Sequence, residues 1–245
     1  MAWYSDQERT RFRWFNDGGE WQQIDKVGHA WGAYQQSRLL MELLRWSGAS
    51  PQQVRWVGGL SGFVLQAPIE ILDGFAADYG ASGWDLLANA TGSALAIAND
   101  VLWQEQRIQL KFSYLPTDYP AQRPDLLGNG LDELLKDYNG QTYWLTVPLS
   151  FRTTRWAHTR PLDWLGLAVG YGGRGMVGGY GTDPPAVISA REVREFYLGL
   201  DLDLTRIRTR SRVLRTVFTA LNAIRLPLPA LRYREGDWRF LPLAF

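Results

Sequence analysis

Apolar residues in this chain recur with a helical period up to about residue 105 and with a period of two from residue 107 onward. That change constrains the fold more than any other feature. A segment patterned for a helix cannot serve as a strand without turning part of its apolar set to the wrong side, and the reverse also holds. The chain is therefore expected to divide into a helical part, 1–106, and a β part, 107–245, built into one integrated domain.

In the first part Asp25 is placed to cap a helix running to Trp46, with Gly48 just past its end. Ser50, Pro51 and Gln53 supply an N-cap, a first-turn proline and a capping-box partner for a second helix. That helix carries WVGGLSGFVLQAPIEIL, residues 56–72, and Pro68 is expected to kink or end it. Ser82 and Asp85 fit another capping box before WDLLANATGSALAIANDVLW, residues 84–103. A membrane span needs about 20 predominantly apolar residues. The first run is shorter and contains Gln66 and Glu70, and the second contains Asp85, Asn89, Asn99 and Asp100. Gly58, Gly59, Gly62, Ala88, Gly92 and Ala96 permit close helix–helix approach. The runs are either buried helices of a compact bundle or weak membrane helices shielded by one another.

In the second part Tyr143, Leu145, Val147, Leu149 and Phe151 alternate with polar or small positions, as do Leu198, Leu200, Leu202 and Leu204. Such alternation marks half-buried strands. WLGLAVGYGG, residues 164–173, reads as another strand, and RYREGDWRFLPLAF as a hairpin turning at Glu235-Gly236-Asp237. GYGGRGMVGGYG is followed by Asp183-Pro184-Pro185 and not by a helix N-terminus, so it reads as strand–turn–strand and not as a phosphate loop. Residues 211–225 form an amphipathic helix with Val213, Leu214, Val217, Phe218, Leu221 and Ile224 on one face. That face is expected to pack on the sheet, with a membrane surface as the alternative. Leu241, Leu243 and Phe245 resemble the aromatic-ended last strand of outer-membrane barrels, but about five or six strands are too few for a closed single-chain barrel of about eight. The fold class expected is α+β: an N-terminal small-residue-rich helical hairpin or bundle packed with a C-terminal antiparallel sheet or partial β-barrel.

Composition excludes several chemistries. There is no Cys and there are two His, which removes disulfides, thiolate zinc sites and multi-His metal clusters. A net charge of +1 gives no reason to expect nucleic acid. Residues 191–245 hold eleven Arg against six acids, an excess suited to a solvated face or to phosphates and anionic headgroups. Twelve Trp and eleven Tyr favour interfaces and membrane boundaries. MAWYSDQERTRFRWF has no apolar core of a signal peptide, which leaves a cytosolic protein or a chain without its natural leader.

The candidate site lies in the helical part. Asp25 and His29 are four apart on one helix face, where an aspartate can fix the imidazole tautomer and prepare it as an acid–base pair. Lys26 lies between them in sequence. Glu70 and Asp73 are three apart beyond Pro68, and Asp85, Asn89 and Gly92 share a third face. Singly these read as caps or satisfied core residues. Together, as polar stripes on three apolar helices, they are expected to face one another, because buried polar groups are costly unless paired. The candidates are Asp25 and His29 as catalytic, and Lys26, Glu70, Asp73, Asp85 and Asn89 as binding residues, with no metal and no cofactor. His158, among Arg155, Thr159 and Arg160, reads as exposed.

Asp25-Lys26-x-x-His29, Glu70 and Asp85-x-x-x-Asn89-x-x-Gly92 resemble the pattern of VanZ-like envelope proteins. FNDGGEWQQIDKVGHAWGAYQQSRL, LSGFVLQAPIEILDGF, WDLLANATG and VLWQEQRIQLKFSY resemble the YfiM-like predicted periplasmic lipoproteins, a likeness that continues through KDYNGQTYWL and AVGYGGRGMVGGY. The resemblance implies an envelope location, periplasmic or outer-membrane associated, and no established reaction. This sequence lacks the lipobox Cys, and its apolar segments are weaker than those of VanZ-like domains. The expected function is a non-enzymatic, membrane-associated envelope protein whose partner is a membrane lipid or an envelope protein. The alternatives are an enzyme acting on an envelope lipid or phosphate-bearing cell-wall precursor through His29 and Asp25, and a structural subunit of an envelope assembly.

Overall fold

The protein is known from a computed structural model that describes residues 9–77, 80–150, 161–178, 191–207 and 209–245. Phe151, His158 and the Gly179–Pro185 stretch lie outside the described residues. The architecture is α+β, with an N-terminal helical region and a C-terminal six-stranded antiparallel sheet that is not closed. Two compact units are distinguished. The first holds the described residues up to Gly19 together with Lys26–Gln106, and the second holds Glu20–Asp25 and Arg107–Phe245.

The first unit is built on three helices: α1 (Ile24–Ser47), α2 (Gly59–Asp73) and α3 (Gly83–Trp103). Asp25 sits in the first turn of α1 and not at its cap. Gly48 follows its end at φ +84°, in the left-handed region that glycine adopts without strain. The Ser50/Gln53 capping box forms and starts a short turn, Pro51–Gln53, which passes through a π-helical turn, Val54–Gly58, into α2. Contrary to expectation, α2 runs through Pro68 to Asp73. Pro68 lies on the exposed side of the helix, so its ring and missing N–H leave the packed face undisturbed.

Small residues bring the three helices together. A Cβ on Gly62 would lie 1.9 Å from the carbonyl oxygen of Ala33, and one on Gly92 would lie 2.1 Å from that of Ala30. Both α2 and α3 therefore meet α1 backbone to backbone. The buried positions of α2 are Gly59, Ser61, Gly62, Gln66 and Glu70, while Val64, Leu65, Ile69 and Leu72 are exposed. On α3, Asp85, Asn89, Gly92, Ser93 and Asp100 are buried while Trp84, Leu87, Val101 and Leu102 are exposed. α2 and α3 turn their polar stripes inward and their apolar stripes outward, the reverse of a helix packed in a water-soluble core, while α1 buries Ala33, Tyr34 and Met41 beside Ser37 and Arg38. No described helix is long and apolar enough to cross a membrane.

The sheet of the second unit runs β1 (Gln109–Tyr114), β2 (Gln141–Pro148), β3 (Leu165–Arg174), β4 (Val193–Leu202), β5 (Leu228–Arg234) and β6 (Asp237–Ala244), each paired antiparallel with the next. The β5–β6 hairpin turns on Glu235 and Gly236, both at positive φ (49° and 90°), as a tight two-residue turn requires. β1, β3 and β4 alternate between buried and more exposed positions, and the buried side is polar or small around a cluster of Trp144, Ala168, Tyr197, Ala230 and Ala244. In β4, Glu195, Tyr197, Gly199 and Asp201 are buried, whereas Phe196, Leu198 and Leu200 are exposed.

Polar pairing makes this inner face possible. Lys111 meets Asp201 at 2.7 Å with both side chains almost wholly enclosed, and its ammonium also donates to the Leu202 carbonyl and to Asn222 Oδ1. Arg225 lies 3.8 Å over the Trp144 ring and donates to the carbonyls of Ala244 and Leu200. Helix α4 (Arg212–Leu221) corrects a second expectation. It buries Thr219, and the adjoining Asn222 with it, while Val213, Leu214, Val217 and Leu221 stay exposed. The hydroxyl and amide match the polar inner face, where the apolar stripe would not.

Candidate functional site

At one end of the helical unit, six side chains and a cap form a single polar cluster. Asp17 is contributed by the Asn16-Asp17-Gly18-Gly19 segment ahead of α1, Lys26 and His29 by the first turns of α1, Glu70 by the last turn of α2, and Asp85 and Asn89 by the first turns of α3. The Lys26 ammonium binds between Asp17 and Asp85, 2.7 Å from Asp85 Oδ1. Ser82 caps α3 by accepting from the Asp85 N–H at 3.0 Å, and its hydroxyl donates to Asp17 Oδ1 at 2.5 Å.

The reciprocal half of that cap comes from another helix. The Ser82 N–H donates to Glu70 Oε2 at 3.4 Å, which leaves the Asp85 carboxylate for Lys26. His29 Nδ1 lies 3.2 Å from Asn89 Oδ1 and 3.7 Å from Glu70 Oε1, and Nε2 lies 3.9 Å from Asp85 Oδ1. Gly32, one turn further along α1, makes room for the Gln66 amide, since a Cβ there would lie 2.8 Å from Gln66 Nε2.

Electrostatics follow from this enclosure. Glu70 is only 2% exposed. Burial, and next the charge of Asp85, push its carboxyl up to about 7 from an ordinary 4.5, against the lowering influence of His29 and the Ser82 N–H. Near neutral pH Glu70 therefore exchanges a proton while Asp17 and Asp85 share the Lys26 cation. Within this unit the donor set is that of an ion pair with an adjoining imidazole–carboxyl couple.

The candidates read from the sequence are placed as follows. His29, Glu70, Asp85 and Asn89 come together, with Lys26 bridging Asp85 to Asp17. Asp73, the last residue of α2, is half-buried, and its charge adds to the rise at Glu70. Asp25 counts with the second unit, where the Tyr138 hydroxyl donates to its Oδ1 at 2.9 Å. Sequence reasoning missed Asp17, because a carboxylate in a glycine-rich turn reads as a turn residue.

Two further polar layers in the helical unit were also missed. The hydroxyls of Ser37 and Ser93 are 3.1 Å apart and accept from the N–H groups of Gly62 and Phe63. At the far end Arg45 and Arg55 both bind Asp100, at 2.5 and 2.9 Å.

Fold and cluster together describe an α+β protein whose helical unit is cored by ion pairs and hydroxyls. Residues 13–100 match a protein family described as predicted periplasmic lipoprotein (DUF2279). The match covers every member of the charged cluster, and the six-stranded sheet lies outside it. The likeness is thus to an uncharacterised periplasmic family and is consistent with an envelope protein. Neither the curated proteins nor the solved structures contain a match to this chain.

Proposed function

We propose that the protein is a non-enzymatic, membrane-associated component of the bacterial cell envelope that binds lipid, and that the charged cluster holds its helices in register. The observation that carries this reading is the polarity of the helical unit: α2 and α3 bury Gln66, Glu70, Asp85 and Asn89 and present Val64, Leu65, Ile69, Trp84 and Leu87 outward. Such a surface is costly in water and favourable against acyl chains. The match over residues 13–100 supports the location, and the YfiM-like and VanZ-like resemblance of the cluster motif agrees with it. The test is flotation of the purified protein with vesicles of phosphatidylethanolamine and phosphatidylglycerol. The protein is expected to rise with the vesicles at low and high salt alike, because apolar insertion is not screened. Recovery in the dense fraction at both salt concentrations refutes the proposal.

A second reading has one observation in its favour. The His29 ring stands 3.7 Å from Glu70 and 3.9 Å from Asp85, the kind of setting in which imidazole and a raised carboxyl exchange protons. On that reading the protein is an enzyme acting on an envelope lipid or phosphate-bearing precursor. Replacing His29→Ala separates the two: a lost cellular phenotype at unchanged abundance favours the enzyme, and an unchanged phenotype favours the structural role.

A further inference from the structure

The register of the six strands sorts the outer face of the sheet into layers. One row contains Leu110, Leu145, Val169, Leu198, Leu231 and Phe240, each paired directly with the next across the whole sheet. The row two residues away contains Phe112, Tyr143, Tyr171, Phe196, Tyr233 and Trp238, again one from every strand in unbroken pairing. Every strand thus contributes an aromatic ring at the same level. Phe112–Tyr143, Tyr171–Phe196 and Tyr233–Trp238 have ring centroids 5.3, 5.4 and 5.0 Å apart.

On the aliphatic side the apolar character continues through the paired Val147, Leu167 and Leu200, and then through Leu149, Leu165 and Leu202. Beyond the aromatic row it falls away. The next level holds Tyr114 paired with Gln141 at the β1 edge, then Gly173, Arg194 and the Glu235–Gly236 turn.

We propose that this outer face is a lipid-contact surface that sits among acyl chains, with the aromatic row held at the headgroup boundary. This deepens the membrane reading above and rests on it for the presence of a bilayer. Three features favour lipid over a protein partner. A protein-binding patch is ringed by polar residues on all sides. Here the boundary from β2 to β6 runs in one straight level, with Tyr114 at the β1 edge, as a layered solvent demands. The apolar face also continues past the edge of β1, where Ile224 bridges to Phe112, onto the exposed stripe of α4. Finally, an aliphatic band edged by aromatic residues above a polar inner face is the arrangement that lipid-facing strands adopt.

Four levels separated by steps of about 7 Å span about 20 Å of strand. With a tilt near 45° that is about 15 Å of depth, roughly half of a 30 Å hydrocarbon core. The face therefore fits one leaflet, with Leu200 deeper than Leu198 and Phe196 near the surface. Residues 20–25 lie over part of the aromatic row: Tyr143 is buried, and Tyr171 donates to the Gln22 carbonyl. Phe196 and Trp238 stay exposed to meet headgroups.

The chain has no Cys, so single-cysteine labelling needs no background removal. Leu198→Cys, Leu200→Cys, Phe196→Cys and Arg194→Cys, each carrying an environment-sensitive NBD dye, are mixed with phosphatidylethanolamine–phosphatidylglycerol vesicles bearing a doxyl quencher near the headgroup or near mid-chain. Circular dichroism matching the parent chain qualifies each variant, and Phe240→Cys replaces either leucine variant that fails this check. The expected result is blue-shifted emission at 198 and 200, quenched most by the mid-chain group. Emission at 196 is quenched most by the shallow group, and emission at 194 stays water-like.

Vesicles that carry the protein while 198 and 200 remain water-like overturn the proposal and leave the membrane reading of the helical unit intact. A blue shift without lipid that grows with protein concentration also overturns it, since a second copy then covers the face. Failure of the parent chain to float refutes both readings.

Discussion

Raising the pH should weaken this protein through Glu70 in particular. The carboxyl titrates at about 7 in the folded chain against 4.5 ordinarily, so the native state holds its proton more tightly than the unfolded state does. The sign follows directly. The stabilising contribution is full below about 4.5 and is lost as pH rises through about 7, because the unfolded chain then ionises more readily than the native one. At 1.36 kcal/mol per unit the difference amounts to about 3 kcal/mol at high pH, roughly two orders of magnitude in the folding equilibrium. Glu70→Gln removes the titration while keeping an oxygen for the Ser82 N–H. The assay is urea unfolding in detergent, followed by circular dichroism, from about pH 5 to about pH 9 for both chains. The difference in stability between E70Q and the parent should grow toward high pH in favour of E70Q. Parallel pH profiles would refute the claim that burial and the Asp85 charge hold Glu70 neutral.

Other perturbations test the same packing. Lys26→Met leaves Asp17 and Asp85 enclosed without their shared cation and should cost about 3–5 kcal/mol in denaturant unfolding, part of it recovered when Asp85→Asn is added. Gly62→Ala drives a methyl into the Ala33 carbonyl and should cost about 3 kcal/mol or more, whereas Gly83→Ala, where a Cβ meets nothing within 4 Å, should change stability little. In the sheet, Lys111→Met strands Asp201 on the inner face and should lower stability by about 3–5 kcal/mol, read as a fall in the urea midpoint at unchanged slope.

Much of the fold was legible because its signals are local. The capping box at Ser50 and Gln53, the positive-φ glycine at 48, the Glu235–Gly236 turn and the change of period near residue 106 all depend on neighbours within a few residues. The spacing of Asp85 and Asn89 likewise places both on one face of α3, and both are buried together. What the sequence did not show was which groups pair with which across elements. Ser82 and Asp85 read as a self-contained capping box, but Glu70 of another helix completes it and releases Asp85 to Lys26.

The sequence by itself determined which residues share a face, since the periods of helix and strand follow from backbone geometry alone. For the strands it could not say which face turns inward, because alternation is symmetric between the two sides, whereas for the helices the polar stripes were expected to meet. Only the tertiary structure decided that Leu198 and Leu200 look outward while Glu195 and Asp201 look inward. The physical reason lies in the partners. Asp201 has Lys111 from another strand, Glu195 has Arg174 and Arg232, and Glu70 has Ser82 and His29. Buried charge is tolerable only where such distant groups converge, and convergence is a property of the folded chain.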